Sequence, residues 1–327
     1  MIRLATVGTS NICQNFLDGA KLTEKFVLSA VYSRSYQTGK SFGDKNNCDR
    51  VYCSLKEMAE SGEVDAVYIA SPNSCHYYQS KLFLENGINV ICEKPIVTKA
   101  DEYIELKALA DSKNLIYMEA IIPRHTEQYS AVKSALREIG KIRSARLDFS
   151  QYSSRLDSFL QGEHVNIFDM SLKAGCLMDI GVYCVYAAID LLGVPKSLKA
   201  YASYLYNGAD GSGSAILKYD DFLATLTYSK TCNGLVGSEI IGAEGTLIIE
   251  KISQYAGVTL IKNGVETRIA EYPAKAQLMS GEAMRFAEYI LDYNSNKSDY
   301  KSVGELTFNV HKTMDLIKQN AELIYSD

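Results

Sequence analysis

Along the first third of the chain, short apolar runs alternate with amphipathic stretches. The runs lie at 2–7, 26–32, 50–52, 65–70, 89–92 and 115–118. Helical periodicity lies between them, at 13–22, 56–61, 75–85 and 99–113. Strands with no in–out alternation are covered on both faces, and helices between such strands mean a parallel sheet. The pattern predicts a doubly wound α/β domain.

After about residue 125 the texture changes. Apolar runs at 142–149, 198–206, 215–219, 223–229, 236–241, 246–250, 257–261 and 265–270 follow one another closely. Turn residues such as Asn207-Gly208, Asp220-Asp221, Asn233-Gly234 and Asn263-Gly264 separate them. That spacing predicts antiparallel meanders. Helical periodicity returns at 177–192, 282–291 and 303–324. The expected organisation is a dinucleotide-binding domain over 1–122, then an α+β domain over 123–327. The second is built on a large, open, mostly antiparallel sheet, and its last helix is free to pack back on the first domain.

A length of 327 residues suits two domains, and 47% hydrophobic with 22% charged residues is a globular composition. Lys plus Arg number 34 against 39 Asp plus Glu, a net charge of -5. Such a balance is a poor match for nucleic acid or anionic lipid. The apolar stretch 180–189 falls short of the ~20 residues that span a bilayer. Met1 runs directly into the first apolar run, leaving no room for a basic leader. The expectation is a cytoplasmic protein without nucleic-acid or membrane partners. The eight cysteines contain no Cys-x-x-Cys and read as buried thiols filling apolar space. No ligand spacing predicts a metal.

The first strand-to-helix turn reads Gly8-Thr9-Ser10-Asn11-Ile12-Cys13. A dinucleotide fingerprint wants Gly at the places of Gly8, Ser10 and Cys13, and only the first is Gly. Gly8 permits the sharp turn, Ser10 can reach a phosphate oxygen, and Cys13 is small enough for close packing. The helix N-terminus then offers its N–H groups to a pyrophosphate. An ordinary βα turn would leave a similar trace, but the position on the first strand favours dinucleotide binding.

The second strand ends in Ser33-Arg34, and no acidic residue occurs from Lys25 through Gly43. An NAD enzyme would place a carboxylate there, whereas a guanidinium and hydroxyls suit a 2′-phosphate. NADP is therefore the expected cofactor, with NAD possible. Thr38-Gly39-Lys40-Ser41 imitates a P-loop but has Arg34 where the first Gly must be. Tyr129 and Lys133 imitate a Tyr-x-x-x-Lys pair, a spacing that recurs at five other tyrosines.

Two strand ends carry charge or hydroxyls at the carboxyl edge, where ligands bind in such sheets. One is Ala70-Ser71-Pro72-Asn73 with His76, where Asn73 reads equally well as a helix N-cap. The other is Glu93-Lys94-Pro95, whose lysine could polarise a carbonyl or hydroxyl. In the second half, Asp179 and Tyr183 lie four apart on an otherwise apolar helix, an expensive placement unless they line a site. His164 and Asn166, just upstream, could reach a substrate.

These pieces, with Met118-Glu119-Ala120, Arg124, the 175–183 segment and 241–246, resemble the Gfo/Idh/MocA oxidoreductases over nearly the whole chain. The resemblance implies an N-terminal Rossmann domain and a C-terminal sheet, one face of which forms a homodimer or a higher homo-oligomer. It implies that Lys94 is catalytic with Asp179 and Tyr183 beside it. It also implies hydride transfer between the nicotinamide and a small-molecule substrate, a sugar, cyclic polyol or dihydrodiol. Gly8, Thr9, Ser10, Asn11, Ile12, Ser33, Arg34, Ala70, Ser71, Pro72, Asn73, His76, Glu93, Lys94 and Arg124 would serve the cofactor. A tyrosine at 183 resembles the NADP-favouring dihydrodiol dehydrogenase and glucose–fructose oxidoreductase branches. Either Lys94 or Tyr183 would move the proton, and Asp179 would hold Lys94 or orient substrate hydroxyls. A dinucleotide-binding sensor of the same fold is the alternative.

Overall fold

A computed structural model describes residues 1–274 and 277–325. The first six strands are β1 (Ile2–Val7), β2 (Phe26–Tyr32), β3 (Val51–Tyr52), β4 (Ala66–Ile69), β5 (Asn89–Glu93) and β6 (Tyr117–Ala120). All pair in parallel, in the order β3-β2-β1-β4-β5-β6. The order reverses between β1 and β4, which makes their carboxyl ends the switch point of a doubly wound sheet. Between the strands run α1 (Asn11–Leu22), α2 (Tyr36–Lys45), α3 (Leu55–Glu60), α4 (Asn73–Glu85) and α5 (Ala100–Ser112). β4 is buried at every position, as its unbroken Ala-Val-Tyr-Ile run requires.

This unit comprises Met1–His125 together with Ala274–Glu305. The expected single boundary at 122/123 therefore differs from the observed division in two respects. The cut falls at 125/126, because the turn Ile122–His125 stays with β6. A returning segment then closes one face of the first sheet. Its helix, which becomes α9 below, brings Met279, Ala283, Phe286 and Ala287 onto Cys13, Phe16 and Leu4. The approach is tight: a Cβ on Gly19 would stand 2.8 Å from the Met279 backbone.

The second unit, Thr126–Pro273 with the last residues from Leu306, begins with α6 (Gln128–Glu138). Next come β7 (Ile142–Ser150), α7 (Leu156–Leu160) and α8 (Val182–Leu192). The remaining strands are β8 (Ser197–Tyr204), β9 (Asp210–Lys218), β10 (Leu223–Ser229), β11 (Ser238–Gly242), β12 (Thr246–Lys251), β13 (Ala256–Lys262) and β14 (Val265–Ala270). They form one sheet in the order β14-β13-β12-β11-β7-β10-β9-β8, antiparallel except where β10 meets β7. Strict alternation along β9, with Ala215 and Leu217 buried and Ser214 and Ile216 exposed, shows one covered and one open face. The covering element is the apolar segment 170–192; by composition it could cross a bilayer, but 78% of its apolar window is buried in the fold.

Three element boundaries depart from expectation for visible reasons. β9 begins at Asp210 instead of 215, because the stretch 210–214 carries no apolar run yet pairs with β8 and β10. A Cβ on Gly213 would stand 2.6 Å from the ring of Tyr228. The helix expected over 177–192 opens with a π-turn, Leu177–Gly181, before α8. α9 spans Ser280–Leu291, close to expectation, but α10 runs Tyr293–Asn320, starting ten residues before the expected 303. Its polar opening carries no apolar stripe, yet Tyr300 is buried and accepts the backbone N–H of Tyr117 at 2.9 Å. Five cysteines are buried as expected, but Cys53 and Cys232 are exposed and Cys75 is half-buried.

Candidate active site

In the first unit, Gly8 leaves β1 with φ +113°, a conformation that L side chains rarely adopt. A Cβ there would stand 3.1 Å from the carbonyl oxygen of Ala70 and 3.4 Å from Cys13 Sγ. Cys13 is fully buried, its thiol pushed up to about 11 by burial. It therefore does the close-packing work expected at the third glycine position. Ser10 is the N-cap of α1, but its hydroxyl makes no capping bond and reaches toward Cys13 Sγ at 3.7 Å. The first turn of α1 holds no acidic residue, so the N–H groups of Asn11 and Ile12 sit in an anion-compatible field. Thr9 opens onto a cavity of about 480 Å³ lined also by Ser35, Gln37, Thr38, Ser41, Phe42 and Lys45. Hydroxyls and an ammonium line it, with no carboxylate.

Ser33 and Arg34 divide at this edge. Ser33 is buried, and its hydroxyl accepts the N–H of Ser35 at 3.3 Å, which shapes the turn into α2. Arg34 is exposed. Lys45 was not singled out from the sequence, and Thr38 and Ser41 entered it only as the imitation P-loop. The signal was the amphipathic α2, whose first turn faces the same edge as the glycine turn.

The lysine segment is fixed from four sides. Tyr68 donates its hydroxyl to the buried carboxylate of Glu93. Burial pushes that carboxyl up, and the Lys94 ammonium opposes the shift. Glu93 thus points into the fold, while Lys94 is half-buried. After the cis Lys94–Pro95 bond, the N–H of Ile96 donates to Glu119 Oε1 at 2.9 Å. Glu102 accepts from the N–H groups of Thr98 and Lys99 at 2.9 and 3.1 Å. His76, fully buried, has Nδ1 2.9 Å from the Pro95 carbonyl and Nε2 2.8 Å from the Ser71 carbonyl. Burial lowers the pKa of its ring. His76 therefore ties the β4 loop to the lysine segment.

Pro72 is the N-cap of α4 and Asn73 its first residue, so Asn73 is not the cap. The Ser71 hydroxyl donates to Gln79 at 2.6 Å. Arg124 is ion-paired with Asp299 at 3.2 Å.

In the second unit, Asp179 lies in the π-turn and Tyr183 in the first turn of α8. In a π-turn the backbone bonds run i→i+5, so the four-residue spacing from Asp179 to Tyr183 is spanned by a wider turn than an α-helix would give. The Tyr183 ring packs against Phe149 with centroids 5.7 Å apart. Asp179 is ion-paired with Lys230, whose side chain is 6% exposed. Lys230 was not singled out from the sequence; it stands directly after a strand end, the only signal it gave. His164 is exposed and held by Asp169 at 2.7 Å, and Asn166 is exposed at the start of a short 3₁₀ turn. The imitation pair Tyr129 and Lys133 both bind Asp190, at 2.9 and 2.8 Å, a packing role.

The switch point, the glycine turn at a helix N-terminus and the strictly held lysine loop define a nicotinamide-dinucleotide oxidoreductase. Residues 2–121 match the oxidoreductase family model with an NAD-binding Rossmann fold, and residues 129–248 match the GFO/IDH/MocA C-terminal domain. The chain belongs to the Gfo/Idh/MocA family of oxidoreductases. An uncharacterized oxidoreductase of Escherichia coli is 38% identical over 297 residues, 90% of each chain. The scyllo-inositol 2-dehydrogenase (NADP(+)) of Bacillus subtilis is 37% identical over 326 residues, 99% of this chain and 98% of its own. A 3-ketoreductase from Actinomadura kijaniata, solved with NADP, shares the fold with a TM-score of 0.81 at 23% identity, covering 98% of this chain and 97% of that one.

Proposed function

We propose that the protein is an NADP-preferring dehydrogenase that interconverts a secondary alcohol and its ketone on a cyclic polyol, sugar or dihydrodiol. The observation that carries the cofactor preference is the cavity beside β2, lined by Thr9, Ser35, Thr38, Ser41 and Lys45 without a carboxylate. A 2′-phosphate suits such a lining, whereas ribose hydroxyls call for an acidic partner. The NADP(+)-linked inositol dehydrogenase of Bacillus subtilis supports the same cofactor and puts a cyclic polyol first among substrates.

The N–H groups at the start of α1 would hold the pyrophosphate, with Gly8 allowing close approach. The bound nicotinamide supplies or accepts the hydride. Lys94 would polarise the substrate oxygen, held in direction by the bonds on Pro95 and Ile96. Tyr183 would take the hydroxyl proton at its phenolic oxygen during oxidation and return it during reduction. Asp179 would accept substrate hydroxyls.

The same reading includes self-association through the open face of the second sheet, where Tyr201 and Ile216 are exposed on neighbouring strands. An exposed apolar face suits an interface with a second copy. Light scattering over a concentration series would report a dimer or larger species; a monomer throughout would remove this part.

The central test is fluorescence titration with NADPH and NADH, followed by turnover on inositols, sugars and dihydrodiols. Tighter NADPH binding with polyol turnover is expected. Tight binding without turnover on the panel would instead mean a dinucleotide-binding sensor, and tighter NADH binding would overturn the phosphate site.

A further inference from the structure

Lys230 follows the last residue of β10 and is 5% exposed over the whole residue. A dry ammonium is expensive unless it is paired. Its partner is the Asp179 carboxylate, whose side chain is 29% exposed. The pair is thus dry behind, at Lys230, and open in front, at Asp179. The backbone beneath is equally fixed. The Lys230 N–H donates to Gly211 at 2.8 Å, and its carbonyl accepts from Ser153 at 2.9 Å. One strand over, Asp210 is buried and accepts the N–H of Leu177, at the head of the π-turn, at 2.6 Å. Gly175 makes room for Asp210, since any Cβ there would collide with the carboxylate. Two neighbouring strands therefore each hold the π-turn, one by its backbone and one by its acidic side chain.

We propose that Lys230 is a positioning residue of the active site, which keeps Asp179 ionised and aimed outward from the π-turn to receive substrate hydroxyls. The proposal rests on the dehydrogenase reading and adds to it a cation on the far side of the carboxylate. A purely structural pair would be served as well by two uncharged side chains of similar volume. Here one member is partly exposed, and it lies four residues before Tyr183. Among the described residues, the charged or titratable groups around Lys230 include Asp179 from the π-turn, Asp210 from β9 and Cys176 ahead of the π-turn. Of these, Asp179 is the one bonded to the ammonium.

The test compares full-length wild type with Lys230→Met, Lys230→Arg, Asp179→Asn and the Asp179→Asn/Lys230→Met double variant. Each is first checked for NADPH binding and a cooperative melt, then assayed on the best polyol of the panel. Lys230→Met is expected to lower kcat/KM by about tenfold or more, mostly through KM, and to move the acid limb of the pH profile upward. Lys230→Arg should restore most of the loss. The double variant should be no worse than Asp179→Asn alone, because both remove one device. Additive losses, or an unmoved pH profile in Lys230→Met, would overturn the proposal. A carboxyl-carbon NMR titration of the same proteins does not depend on turnover. The Asp179 midpoint should rise by about one unit or more in Lys230→Met. If wild type turns over nothing, the dehydrogenase reading fails by itself, and an unmoved Asp179 midpoint then overturns the role of Lys230 separately.

Discussion

His76 Nδ1 lies 2.9 Å from the carbonyl oxygen of Pro95, the residue after the candidate catalytic lysine. Its other nitrogen faces a second carbonyl, that of Ser71, at 2.8 Å. Both partners are acceptors, so a neutral ring can donate to only one at a time. Burial nevertheless favours the neutral ring. Replacing it by Leu removes that one donor and leaves its carbonyl unpaired, at a cost of about 1–3 kcal/mol. His76→Leu should lower kcat by roughly tenfold or more through a displaced Lys94, since small misplacements are costly. Steady-state kinetics beside a thermal melt would check this; an unchanged kcat would separate His76 from Lys94.

Lys94→Met and Tyr183→Phe each remove one candidate proton-handling group. Each should lower kcat by about 10²–10⁴, the usual contribution of general acid–base groups, with NADPH affinity nearly unchanged. Losses below about tenfold in both would remove the assignment.

Gly8→Ala tests the pyrophosphate approach. The residue has φ +113°, and the new methyl would stand 3.1 Å from Ala70 O. Strain of about 1–3 kcal/mol in the turn should weaken NADPH binding by tenfold or more. Fluorescence titration would read the change directly.

Arg34→Ala and Lys45→Ala address the phosphate pocket. Loss of a charge-assisted bond is worth about 1.5–3 kcal/mol, so NADPH affinity should fall by roughly ten- to a hundredfold at the residue that makes it. NADH affinity should stay level. Equal losses for both nucleotides would mean that the charges act elsewhere.

Asp210 yields a pH prediction with a definite sign. Burial raises its carboxyl from an ordinary 3.8 to about 7. Between those values the folded protein holds a proton that the unfolded chain has released, so this group's contribution to stability falls as pH rises from about 4 to about 7. Asp210→Asn keeps an acceptor for Leu177 N–H and removes that slope. Relative to the variant, wild type should lose on the order of 3 kcal/mol between pH 5 and pH 8. Denaturant melts at pH 5 and pH 8 would show it; parallel curves would contradict it.

The parallel sheet was legible because β1, β4 and β5 are mostly apolar without in–out alternation, and the meander because turn residues punctuate the second half. Gly8, the lysine loop and the acidic–phenolic pair stood out as polar or flexible residues at strand or helix ends. Lys230 did not, because one lysine after a strand looks like any solvated lysine. Only the fold shows that its stem is covered and its ammonium is placed on Asp179. Glu102 was equally silent, and Glu119 stood out only within the Met118-Glu119-Ala120 segment; each serves a backbone N–H of the lysine loop, a bond that sequence spacing does not encode. The π-turn was missed because its composition is that of any apolar helix. The early start of β9 was missed because Asp210-Gly211-Ser212-Gly213 carries no apolar run, and only the fold shows Gly213 packed against Tyr228.

The first unit is made of two stretches of chain separated by nearly all of the second. This has a consequence for the order of synthesis. When residue 125 leaves the ribosome, the six strands exist, but the apolar faces of Cys13, Phe16 and Leu4 still lack Met279, Ala283 and Phe286. The dinucleotide domain can close only after about 150 further residues have been made. A gene fragment ending at 125 would therefore yield an exposed, aggregation-prone sheet. The nascent enzyme passes through that same state each time it is translated, with most of the first unit made but its closing segment still to come.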